Sequence, residues 1–269
     1  MVRKFIVSSL FLFLLPAPVH SQEEQLVINL TGPAVNPVFI FENPKGAIKV
    51  TGYDGTDILV NASLRNTGTE RQKTGTVRKI GQNSPDIYAE TEGGNVTLFS
   101  RTSGKTVDFD IKIPRNFSLK LKSLDNGTVH VINVNGNIEA ENPAGDLILE
   151  NIAGSAVLST VYGKISAAFR EVNPGAPMMF TSIEGNISLT LPPAVNAVLR
   201  MKTGTGEIES DFDIVPEKRR SVVKNLENKK IYSLEDWVIG RINAGGPEYV
   251  ITTYNGNIFV KKNKAPGNL

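Results

Sequence analysis

The chain has 269 residues, 29 of them basic and 27 acidic, with no cysteine and two histidines. A cysteine-free chain has neither a disulfide framework nor a thiolate metal site, and two histidines are too few for a histidine-based zinc centre. The near balance of charge gives no support to the broad basic field of a nucleic-acid-binding protein.

The first predicted element is a targeting segment. Arg3 and Lys4 precede an apolar run, Phe5 to Leu15, broken only by Ser8 and Ser9. Pro16 follows, and Val19 and Ser21 stand at the −3 and −1 positions of a cut before Gln22. This is the layout of a cleaved signal peptide over residues 1–21, and the run is well short of the roughly 20 residues that cross a bilayer. Cleavage leaves 27 basic and 27 acidic residues. With no cysteine at the cut there is no lipoprotein anchor, and no later apolar run is long enough to span a membrane. The expectation is an exported chain in the periplasm, on the outer-membrane surface or outside the cell. Six Asn-x-Ser/Thr sequons, Asn61-Ala-Ser63 and Asn126-Gly-Thr128 among them, are read as chance matches in a chain rich in these residues.

Residues 22–115 are predicted to form an N-terminal β cap or the first coils of a longer stack, with strands at Leu26–Leu30, Val38–Phe41, Ile58–Leu64, Val96–Ser100 and Val107–Ile113. In the last of these, Val107, Phe109, Ile111 and Ile113 alternate with Asp108, Asp110 and Lys112, the pattern of a half-buried strand that Pro114 closes.

Residues 116–262 carry a repeat. Glycines stand at 127, 136, 145, 154 and 163, nine residues apart. The second residue after each is apolar (Val129, Ile138, Leu147, Ala156, Ile165), and so is the fourth (Val131, Ala140, Leu149, Leu158, Ala167). The seventh is Val134, Pro143, Ile152 and Val161 before the pattern fails at Arg170. Positions +2 and +4 share one face of a short strand, and the glycine is read as a turn residue tolerant of positive φ. A nine-residue unit cannot bury its own face. Stacking buries a continuous stripe, each aliphatic side chain contributing about 1.5–3 kcal/mol. Two units per coil would give an 18-residue rung. The same cassette recurs at Gly46-Ala-Ile48, Gly185-Asn-Ile187, Gly206-Glu-Ile208 and Gly256-Asn-Ile258. The predicted fold class is therefore all-β, a single-domain β-solenoid or β-helix of Gly-x-Ile strand-turn units, continuous with the N-terminal region. Glu171 to Met178 reads as a loop. Residues 216–230, with six basic and two acidic side chains, read as a solvated excursion with room for a short helix, and residues 263–269 as a flexible tail.

The search for chemistry assigns no catalytic, cofactor-binding or metal-binding residue. Once the leader is removed His130 is the only histidine, and it lies between two core positions, so it faces outward. Asp108 with Asp110, Glu139 with Glu141, and Asp211 with Asp213 could serve as acid–base pairs on a glycosidic bond. At i, i+2 on a strand the plainer reading is a solvated face. The basic segment 218–230 could meet phosphate, lipid A or acidic glycans. Tyr232 and Trp237 beside it could line a sugar site or seal the last coil. No phosphate-cradling loop is present, because the glycines open strands and not helices.

The Gly-x-Ile repeats, Val107-Asp-Phe-Asp-Ile-Lys-Ile-Pro114 leading into Phe117-Ser-Leu-Lys-Leu121, Gly46-Ala-Ile-Lys-Val-Thr-Gly-Tyr-Asp54, Ser210-Asp-Phe212 and Thr253-Tyr-Asn-Gly-Asn-Ile-Phe-Val260 together resemble the DUF4097 family of adhesin-like bacterial proteins. The order of these motifs covers nearly all of the mature chain. Ile239-Gly-Arg-Ile-Asn-Ala-Gly-Gly246 departs from the glycine-richer version of the family pattern. The resemblance implies an exported bacterial β-solenoid and brings no catalytic or ligand-binding residue with it. The expected function is a non-enzymatic envelope or surface scaffold whose partner is a surface ligand, a glycan or an envelope protein. A periplasmic structural or sensory protein is the alternative, and a carbohydrate-active enzyme a further one.

Overall fold

The computed structural model describes residues 25–263 apart from 31, 33, 34, 66–84, 102, 103, 126, 217–220, 227, 228 and 235, and over 215–235 it describes the backbone alone. The signal segment 1–21 and the tail from 264 lie outside the described residues. Those residues form strands and no helix. In chain order the strands are β1 (Gln25–Ile28), β2 (Val38–Asn43), β3 (Ile48–Tyr53), β4 (Ile58–Leu64), β5 (Ile87–Glu92), β6 (Asn95–Ser100), β7 (Val107–Pro114), β8 (Ser118–Ser123), β9 (Val129–Ile132), β10 (Ile138–Asn142), β11 (Leu147–Gly154) and β12 (Ala156–Thr160). They continue as β13 (Ile165–Val172), β14 (Met178–Thr181), β15 (Ile187–Leu191), β16 (Ala197–Thr203), β17 (Ile208–Ser210), β18 (Val215–Pro216), β19 (Ser221–Leu226), β20 (Lys229–Leu234), β21 (Val238–Ile242), β22 (Glu248–Thr253) and β23 (Ile258–Lys262).

Two large mixed sheets hold all of these strands except β19 and β20. The first runs β1-β4-β7-β3-β9-β11-β13-β15-β23-β17 and the second β18-β21-β16-β22-β14-β12-β10-β8-β2-β6-β5. Period-two patterning explains why the two face each other. Every +2 and +4 residue of the glycine cassettes from Val129 to Ala167 is buried, while Glu139, Glu141 and Ser159 are exposed. Both inner faces merge in one core that includes Phe41, Phe109, Phe169, Phe180 and Tyr249.

The nine-residue unit is half of the structural period. In the second sheet Ile138 lies opposite Ala156, and in the first Val129 lies opposite Leu147 and Leu147 opposite Ile165. Eighteen residues therefore separate partners within a sheet, and successive units alternate between sheets. The seventh position shows the difference. Val134 and Ile152 are fully buried, whereas Pro143 and Val161 are half-exposed at the other corner.

The spatial order departs from the chain order at both ends. The pair β2 and β3 sits between β6/β7 and β8/β9, and the pair β22 and β23 sits between β14/β15 and β16/β17. Both chain ends thus supply interior strands. Antiparallel strands close the margins: β4 and β1 beside β7, β5 beside β6, and β21 and β18 beside β16. The excursion at 216–230 has no helix among its described residues. It is an antiparallel hairpin, with Val223 opposite Tyr232. Val222, Val223, Ile231 and Tyr232 are β-branched or aromatic residues that favour strands, so charge count alone was the wrong guide.

Candidate functional site

Among the described residues, the side chains singled out by sequence do not converge. His130 lies on the outer face of β9, with Nε2 3.3 Å from Oε1 of Glu150 on β11. Asp108 is gripped by the Arg65 guanidinium, Nε donating to Oδ2 at 2.8 Å, and its Oδ1 also accepts the Ala47 N–H at 2.8 Å. Asp110 pairs with Lys49 at 3.4 Å, Glu139 with Lys120 at 3.4 Å, and Glu141 with Lys122 at 3.2 Å. Asp211 accepts the Lys262 N–H at 3.1 Å, and Asp213 is exposed in the bend beyond it. The cause is register: Lys120 and Lys122 lie directly opposite Glu139 and Glu141 on the adjacent parallel strand, and Lys49 directly opposite Asp110. Each such exposed pair is worth about 0–1 kcal/mol, and each ties a carboxylate sideways to a cation instead of towards its i+2 partner.

Trp237 lies outside the buried core. The Arg200 guanidinium, on the outer face of β16, sits 4.5 Å above its ring centre, and Lys202 pairs with the adjacent Asp236 at 3.3 Å. Lys218, Arg219 and Arg220 lie outside the described residues, and of Lys224, Lys229, Lys230 and Tyr232 only the backbone is described. Asp54 and Tyr249 are among the groups with shifted acidities. Arg115, donating to both carboxylate oxygens of exposed Asp54 at 2.6 and 3.2 Å, holds that carboxyl below its usual range. Burial pushes the Tyr249 phenol up, and its hydroxyl, inside the core, has no hydrogen-bond partner.

One corner between the sheets is built with unusual regularity. Gly46, Gly127, Gly145, Gly163, Gly185, Gly256 and Gly206 follow one another along it. A Cβ on Gly127 would lie 2.0 Å from the Gly46 carbonyl oxygen, one on Gly145 2.0 Å from that of Gly127, and one on Gly163 2.2 Å from that of Gly145. Close approach, and not positive φ, demands glycine at 127, 145 and 163, since none of the three has a left-handed backbone. The crowded carbonyls accept bonds from side chains one strand further on. Ser123 Oγ donates to Gly46 O at 2.9 Å, Asn142 Nδ2 to Gly127 O at 2.9 Å, and Thr160 Oγ1 to Gly145 O at 3.0 Å. Ser182, Thr253 and Thr203 continue the series to Gly163, Gly185 and Gly256. This internal polar ladder was not singled out from the sequence, although a polar residue three positions before the glycine (Asn142, Thr160, Ser182, Thr203, Thr253) was its visible signal.

Outside that corner lies a shallow polar groove of about 450 Å³, with Arg65 and Thr128 at one end and Asp146 and Tyr162 at the other. Beyond Tyr162 the corner carries Ile183 and Tyr254, and all three side chains are strongly exposed, at 63%, 47% and 67%. Parallel bridges align Tyr162 with Glu184 and Glu184 with Asn255. A second concavity, about 470 Å³, lies where residues 29–37 meet the β5–β6 turn. Its floor is Leu30, Val96 and Phe117, its rim Asn29, Asn95 and Asn116, and none of its described lining residues ionises. Such a lining offers contact and hydrogen bonding but no acid–base step.

Among the described residues there is no group of three or more His, Asp or Glu side chains able to hold a metal, and no helix long and apolar enough to cross a membrane. The class defined so far is an all-β protein with two large mixed sheets and a grooved corner. No family model matches the chain, that of the DUF4097 family included, and no curated protein matches it. Among solved structures, it is similar to a putative cell adhesion protein from Clostridium sporogenes (11% identity, TM-score 0.43, covering 89% of this chain and 99% of that one). It is also similar to a putative adhesin from Bacteroides fragilis (12% identity, TM-score 0.41, covering 90% of this chain and 98% of that one).

Proposed function

We propose that the chain is an exported, non-enzymatic interaction scaffold of β-solenoid type, which offers its outer faces and corners to a ligand on a surface or in the cell envelope. The observation that carries this reading is the fate of the outward carboxylates. In-register stacking pairs Asp110, Glu139 and Glu141 with lysines on the neighbouring strand, so the acids best placed by sequence for glycoside hydrolysis serve the ladder. The solenoid reading is supported by the eighteen-residue register running from β9 to β13 and by the glycine column that crosses it. Export is supported by the leader-like sequence of residues 1–21.

Incubating the purified protein with a panel of polysaccharides tests the non-enzymatic part. The expected result is no reducing-end release and no unsaturated product. Either product, formed in proportion to protein and abolished by a carboxylate substitution, would make the chain a carbohydrate-active enzyme.

A further inference from the structure

We infer that the ridge formed by Tyr162, Ile183 and Tyr254 is a binding site for an extended, uncharged carbohydrate chain; this rests on the scaffold reading and names its ligand. Single exposed apolar side chains are ordinary on a protein surface, but a contiguous run of them marks a contact site. Here three large ones follow consecutive neighbours of the second sheet: Tyr162 follows β12, Ile183 follows β14 and Tyr254 follows β22. Ile183 and Tyr254 lie side by side, and Tyr162 stands one residue further along on the next strand, in line with Glu184; at about 4.8 Å per strand the two tyrosine backbones are about 10 Å apart. The Tyr254 ring lies against Gly204, where a Cβ would come within 2.9 Å of it, so its orientation is fixed while most of its surface stays open.

Pyranose rings present flat C–H faces and a rim of hydroxyls. They need an aromatic platform with hydrogen-bonding groups to the side, which is the amphipathic use that tyrosine serves well. Both are present. Tyr162 heads the row that continues as Glu184 and Asn255, and Ile183 and Tyr254 form the adjoining row, so hydrogen-bonding groups lie beside both exposed rings. The polar groove prolongs the ridge past Tyr162 over Gly145 and Gly127 towards Thr128 and Arg65. A long, shallow, open track suits a chain lying along it better than a terminal sugar held end-on. A peptide adding as a β-strand has no edge to join here. The Tyr162 and Glu184 amides already donate to the Pro143 and Val161 carbonyls, and the Asn255 amide to Ile183.

The test is affinity electrophoresis of the purified protein through gels containing a mixed-linkage β-glucan, a xylan, a galactomannan or polygalacturonate, with binding isotherms for any that retard it. At least one neutral polysaccharide should retard the protein. Tyr162→Ala and Tyr254→Ala should each weaken binding about tenfold, the loss of one well-made stacking contact, and the double variant should run freely. Tyr254→Phe should keep the platform and the affinity, and Val157→Ala, on the flat outer face of the second sheet, should change nothing. Protection of Tyr162 and Tyr254 from nitration by the bound polysaccharide reads out the same site without any substitution. If no polysaccharide retards the protein while it still binds whole cells, the carbohydrate claim fails and the scaffold reading stands. Retardation undiminished in the double variant, or only by polygalacturonate, overturns the proposal. So does capture on a proline-rich peptide array that the same substitutions abolish, because the occupant would then be a peptide.

Discussion

At the scale of single residues, the corner glycines and the core tyrosine decide most. A methyl group on Gly145 would stand 2.0 Å from the Gly127 carbonyl oxygen, so Gly145→Ala must push two strands apart. Overpacking of this kind costs about 3 kcal/mol, to be read as a shift in the urea midpoint. Gly175, in the loop after β13, has open space around the corresponding position and no left-handed backbone. Gly175→Ala should be neutral or stabilising by about 0.5 kcal/mol. Equal losses at the two sites would show that flexibility, and not close approach, is what glycine supplies. Tyr249 makes the opposite case. Its hydroxyl is buried without a partner, so Tyr249→Phe should stabilise the fold, by about 1 kcal/mol. Its phenol is raised from 10.0 by burial, so the folded state holds the proton more tightly than the unfolded one. The neutral form's contribution is complete below pH 10 and is lost as pH climbs from 10 towards the raised folded value. The advantage of the phenylalanine variant should therefore widen above pH 10 in paired denaturation curves.

At the scale of elements, what was legible was local. Apolar alternation placed Ile58–Leu64 at its observed limits and the strands at 26, 38, 96 and 107 within two residues of theirs. The glycine cassette marked where strands begin in the repeat because +2 and +4 sit on one face whatever the neighbours are. The order of strands was not legible. Gly46-Ala-Ile48 and Gly256-Asn-Ile258 carry the same local pattern as the central units, and nothing in that pattern says that β3 pairs with β7 and β9, or β23 with β15 and β17. The groove and the tyrosine ridge were hidden for the same reason, since Tyr254 comes within two strands of Tyr162 only when β22 enters between β14 and β16. The inserted strands yield a prediction. Ending the chain after Pro247 removes Tyr249, Ile251, Ile258 and Val260, all fully buried, and strands β15 and β17 lose their common partner. The truncated protein should lose cooperative unfolding over β14–β17. Retained protection of those strands in hydrogen exchange would mean that they pair without β22 and β23.

At the scale of the whole molecule, the two sheets turn a nearly neutral chain into a long stack whose outer rows are hydrogen-bonding groups and cross-strand ion pairs. The same stacking that builds the core fixes the rows outside it, so the outward faces repeat from strand to strand. Pairings such as Val38 with Ser118 and Thr181 with Thr252 join residues far apart in the chain, which makes for slow folding by the loop-closure argument. An adhesin-like scaffold has to be displayed on the outside of the cell, and protease digestion of intact cells, with a periplasmic protein as control, tests that display. The account predicts that the chain is cleaved or shed while the control stays whole. Protection until the envelope is opened would contradict surface display and make the protein a periplasmic structural or sensory component.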